Sequence, residues 1–136
     1  MIQQGATTVF KTNLLNGLEN FTTGVYKIAL YTALADLGPT TTVYTTTNEI
    51  AGTGYVAGGN TLVNVVPASS DDVAYISFLN TTWNPASFTA RGALIYNQAT
   101  GSAVAVLDFG ADKTCTTTFT VTFPTATATS AIIRVN

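Results

Sequence analysis

The sequence predicts an all-β fold: a single β-sandwich or jelly-roll domain with one short N-terminal helix and an extended N-terminal arm. Three observations predict it. Apolar residues fall in short segments, several of them alternating at the two-residue period of a strand. Turn signals built on Gly, Pro, Asn and Asp separate those segments about every 8–12 residues. The chain has 136 residues, which fits one domain able to bury its own core.

The elements follow in order. Residues 1–9 are polar and read as the arm, and residues 10–136 form the domain. Phe10, Leu14, Leu18 and Phe21 recur at helical spacing with Leu15 beside them, predicting two or three turns that end at Thr22-Thr23-Gly24. Strand character begins at Val25, where Tyr26, Ile28 and Leu30 share a face. After the turn at Asp36–Thr40, residues 40–60 form a long Thr- and Gly-rich loop carrying Tyr44 and Tyr55. A loop this long inside a compact domain is usually functional or packed against a neighbour. Residues 61–66 read as a strand stopped by Pro67, and residues 73–79 as another beyond an Asp71-Asp72 turn. Two continuously apolar runs, 88–96 and 103–109, flank Asn97–Gly101 as a hairpin covered on both faces. After Gly110–Lys113, residues 116–123 read as a strand in which Phe119, Val121 and Phe123 share one face. Pro124 ends that strand, and residues 132–135 form the last one.

Composition narrows the function. Charged residues are 9% of the chain, against a usual share of about a quarter, and the net charge is −2. Threonine, about a fifth of the residues, replaces them. A surface so poor in charge suits either a neutral adhesive domain or a subunit covered by copies and partners. The five basic residues do not cluster, so no nucleic-acid partner is expected. No apolar stretch reaches membrane-spanning length. The single cysteine, Cys115, allows no intrachain disulfide and suits a reducing cytosol.

With no histidine, the commonest general base and metal ligand are missing, and no cofactor, metal or catalytic residue is expected. Asp71-Asp72 is the nearest approach to a glycosidase pair, and a solvated turn is the better reading. The glycines of Gly52-Thr53-Gly54 and Gly58-Gly59 read as loop glycines rather than a phosphate cradle. Candidate contact residues are Ile2, Gln3 and Gln4 in the arm, Tyr44 and Tyr55 in the long loop, and Trp83 and Arg91. Exposed together, the aromatics would stack on sugar or fill a partner's pocket, although Trp83 suits a core cap better. Arg91 lies within an apolar run and calls for a carboxylate partner.

One ordered series resembles a known family. It comprises Tyr26–Thr32, Gly52-Thr53-Gly54-Tyr55-Val56-Ala57-Gly58-Gly59, Trp83, Phe88–Asn97 and Ala103–Gly110. Together these segments are similar to small virion structural proteins of tailed bacteriophages, from about Phe10 to the C-terminus. The resemblance implies a virion location after assembly in the host cytoplasm. It implies a capsid decoration (cement) protein on the outer surface of the major capsid protein lattice, with a neck, collar or tail-fibre-associated protein as the alternative. The implied partners are the major capsid protein or other virion proteins, and copies of this chain as a dimer or trimer. A host-glycan recognition module is the competing reading. No catalytic residues come with the resemblance.

Overall fold

A computed structural model describes all of residues 1–136. The chain is mostly β, with several antiparallel sheets and one short helix. The elements run β1 (Gly5–Ala6), α1 (Thr8–Leu15), β2 (Tyr26–Tyr31), β3 (Asn60–Thr61), β4 (Asn64–Ser70) and β5 (Val73–Phe78). They continue with β6 (Thr81–Trp83), β7 (Phe88–Asn97), β8 (Ala103–Cys115), β9 (Phe119–Val121) and β10 (Ile133–Val135). A five-stranded sheet has the order β1-β8-β7-β2-β3, a three-stranded sheet β10-β5-β4, and β6 pairs with β9.

The arm is not separate from the domain. Gly5 and Ala6 pair with Val106 and Ala105 at the edge of the large sheet, and Ile2 bridges to Leu37. The helix starts two residues earlier than the spacing predicts. Thr7 caps it by accepting the Phe10 N–H at 3.2 Å, and the same hydroxyl donates to the Ala103 carbonyl at 3.0 Å. It also ends earlier, at Leu15. Gly17 has φ +70°, its N–H reaches the Leu14 carbonyl, and the Leu18 N–H reaches that of Asn13. This paired closure turns the chain away, so Leu18 is exposed while Phe10 and Phe21 remain buried.

Pro67 does not stop a strand. β4 runs through it because β4 is a sheet edge and its pairing with β5 shifts between Val65 and Ala68, where no ladder N–H is needed. The strand read as ending at Phe109 instead runs on to Cys115, taking residues 110–113 into β8. Gly92 faces Asp108 and Ala90 faces Lys113, so β8 takes five steps where β7 takes two. The surplus leaves Gly110–Lys113 exposed as a bulge.

Both faces of the large sheet are buried, as the continuous apolar runs predict. Tyr26, Ile28, Leu30, Ala93 and Ile95 face the main core. There they meet Ile76 and Phe78 of β5, Trp83 of β6, and Phe119 and Val121 of β9. On the other face Ala29, Tyr31, Leu94, Tyr96 and Val106 are covered by Ile2, Ala35 and Leu37, with Tyr44 packed against them. Burying each large side chain contributes about 1.5–3 kcal/mol, so this second layer is a substantial part of the fold's stability.

Candidate functional site

The long segment between β2 and β3 is tied down by one carboxylate. Glu49 Oε2 accepts the Tyr44 hydroxyl at 2.6 Å. Its Oε1 accepts the Tyr55 hydroxyl at 2.6 Å and the Gly58 N–H at 2.7 Å. The Tyr55 oxygen in turn accepts the Leu30 N–H at 2.9 Å, joining the loop to β2. Tyr96 donates to the Gly58 carbonyl at 2.7 Å, and Tyr31 to that of Thr45 at 2.7 Å. The segment therefore finds its partners within its own chain. Burial, and then the hydrogen bond donated to Glu49, hold the Tyr44 and Tyr55 hydroxyls well above the usual tyrosine pKa. They remain donors throughout the neutral range.

The aromatics of the contact set lie inward. Trp83 is 4% exposed, with Tyr55, Phe88 and Phe119 around it at centroid separations of 6.1, 6.4 and 6.1 Å. It caps the core at a strand end. Tyr44 stacks on Tyr96 at 4.6 Å on the opposite face of the large sheet. Tyr44 and Trp83 thus belong to different layers and form no common stacking platform.

Arg91 has the interstrand carboxylate that its apolar surroundings call for. Its Nε lies 3.1 Å from Asp108 Oδ1, across the β7–β8 pairing. Asp108 also accepts the Gly110 N–H at 2.8 Å, which pins the root of the bulge. These two bonds, the Gly110 one foremost, hold the Asp108 carboxyl below its usual pKa.

In the arm, Ile2 is buried while Gln3 and Gln4 are exposed. Gln4 Oε1 accepts the Asp108 N–H at 3.1 Å. Two adjoining clefts, of about 470 and 480 Å³, share Gln4, Leu107 and Ile132 in their walls. Asp108, already bonded to Arg91 and Gly110, is the one acidic side chain lining them. Asp71 and Asp72 sit on the exposed turn between β4 and β5, with Asp71 at φ +55°. Two residues stand out that the sequence did not single out, Glu49 and Thr7. Glu49 is the only acid among the tyrosines and glycines of its loop, which is the one signal that marks it. Comparison with protein-family models, with curated proteins and with solved structures finds no match to this chain.

Proposed function

We propose that this chain is a structural protein of a tailed-phage virion. In this reading it is a capsid decoration (cement) protein that binds the outer surface of the major capsid protein lattice and stabilises the head. The large sheet and the two smaller ones would face each other across the main core as a β-sandwich.

One observation carries the reading. No charged residue occurs between Glu49 and Asp71, and this stretch includes β4, an open sheet edge that is mostly exposed. Val63, Val66 and Leu79 lie on or beside that edge with 58%, 64% and 55% of their surface exposed. Free monomers protect open edges with lysines, inward charges or a covering element. Pro67 and the pairing shift are the only such devices here. An uncharged edge with apolar flanks suits a subunit laid against other proteins, where many weak contacts add through repetition.

The test is to detect and count the protein in purified virions by quantitative mass spectrometry. On the order of hundreds of copies per particle supports head decoration, as icosahedral repetition requires. Between about six and a few dozen copies places it at the neck or tail instead. Absence from purified particles refutes the virion reading.

A further inference from the structure

We propose that the β8 edge and the socket beside it form a strand-acceptor site, and that Met1–Ala6 of a second copy of this chain fills it. The inference rests on the geometry of the arm and not on the virion reading.

The chain's own arm shows what the site accepts. The Met1 amino group donates to the Ala35 carbonyl at 3.0 Å, and the Leu37 N–H donates to the Met1 carbonyl at 3.1 Å. The Gln3 N–H returns a bond to the Leu37 carbonyl at 2.8 Å. Gly5 and Ala6 then pair antiparallel with Val106 and Ala105, and Gln4 takes the next free N–H, that of Asp108. Between these two sets of backbone bonds, Ile2 is pressed into a socket over Gly92. A Cβ on Gly92 would come within 2.8 Å of the Ile2 side chain and 2.6 Å of the Leu107 carbonyl, so glycine there is what makes room for the isoleucine. Recognition is thus by backbone register plus one apolar knob, the chemistry of strand addition to a sheet edge.

None of the receiving groups is near the arm in sequence. They lie at 35–37, 92 and 105–108, so the same bonds form whichever copy supplies the strand. Exchange of such an identical element is a low-cost route to association. Thr7 supplies a fixed pivot. It is fully buried, with its N–H and hydroxyl bonded to the Ala103 and Val104 carbonyls, so an outgoing arm leaves helix α1 in place.

Six residues span at most about 20 Å, so donor and acceptor must meet edge to edge. That approach brings together the open continuation of each β8 and the clefts walled by Leu107, Phe109 and Ile132. Because cis and exchanged arms make equal contacts, the balance is set by concentration. A short tether gives the cis arm an effective concentration of about 1 mM. Dilute protein keeps its own arm, and copies held side by side exchange.

The test places cysteines at the directly opposed pair, Ala6→Cys with Ala105→Cys, in a Cys115→Ala background. The protein is oxidised at concentrations from micromolar to millimolar, then denatured and weighed. An intrachain disulfide marks a cis arm, and an interchain 6–105 disulfide marks exchange. The expected interchain fraction is negligible near 1 µM and roughly half near 1 mM. A second measurement needs no substitution. A millimolar mixture of isotope-labelled and unlabelled protein is examined for intermolecular NMR contacts between Ile2 methyls and Gly92. Contacts between copies support the proposal, as does the concentration-dependent interchain disulfide. Purely intramolecular contacts at millimolar concentration overturn it, and they do so even if the cysteine variant fails to fold.

Discussion

Replacing Glu49 with alanine removes one carboxylate and leaves three donors without their acceptor: the Tyr44 hydroxyl, the Tyr55 hydroxyl and the Gly58 N–H. A hydrogen bond to a charged group contributes about 1.5–3 kcal/mol. The three bonds act as one unit and the loop rim reaches water, so they do not simply add. The expected loss is about 3–4 kcal/mol, a large share of the 5–15 kcal/mol typical of a folded domain. At this chain length that lowers Tm by about 10 °C. Glu49→Gln keeps one carbonyl acceptor and should lose about half as much. The assay is denaturant and thermal unfolding, with amide hydrogen exchange as the local readout. Protection should fall first at Gly58, and at Leu30, whose N–H is bonded to the Tyr55 hydroxyl. A Glu49→Ala protein within about 0.5 kcal/mol of the parent, with both amides still protected, would refute the account of how this loop is held.

Three further outcomes follow from the same geometry. Phe10→Ala should cost about 3–5 kcal/mol in denaturant unfolding while Leu18→Ala stays within about 0.5 kcal/mol, because only Phe10 lies under the sheet; equal costs would restore the longer helix. Five tyrosines, at positions 26, 31, 44, 55 and 96, have hydroxyls raised mainly by burial, with Glu19 adding at Tyr26 and Glu49 at the others. Since the unfolded chain deprotonates first, their contribution to stability is complete below about pH 10 and is lost above it, so phenolate absorbance should rise together with unfolding. Asp108 has the opposite sign: its lowered carboxyl stabilises above the ordinary carboxylate pKa and loses that effect as pH falls through the lowered one. Arg91→Gln should move the Asp108 carboxyl titration, followed by NMR, only part of the way back, because the Gly110 bond remains; a complete return would show that the guanidinium acts alone.

Much of the strand content was legible residue by residue. Tyr26, Ile28 and Leu30 alternate because the pleat alternates, and Phe119 and Val121 prove buried for the same reason, while Phe123 is buried beyond the end of β9, which stops at Val121 and not at Pro124. The hairpin around residues 97–101 and the carboxylate partner of Arg91 were equally readable, the first from turn chemistry and the second from the cost of an unpaired charge within an apolar run. The helix ends were misread because Leu14 and Leu18 keep helical spacing across a glycine whose positive φ closes the turn. Pro67 was misread because proline is excluded only where its N–H would be needed, and edge position is not a local property. The contact residues were chosen by type, but whether a tyrosine points outward depends on what reaches its hydroxyl. For Tyr44 and Tyr55 that is a glutamate in the same loop.

By itself the sequence determined the β-rich class, the low charge, the turns at 71–72 and 97–101 and the apolar faces, since each depends on a few consecutive residues. Only the tertiary structure decided where the arm goes, which strands became edges and which carboxylate anchors the long loop. These depend on groups that meet across the chain, such as Gln4 and Asp108, separated by 104 positions. Closing so long a loop adds little entropy cost beyond that of a short one, so local spacing carries no signal of the partner; the match in register, shape and hydrogen bonding selects it.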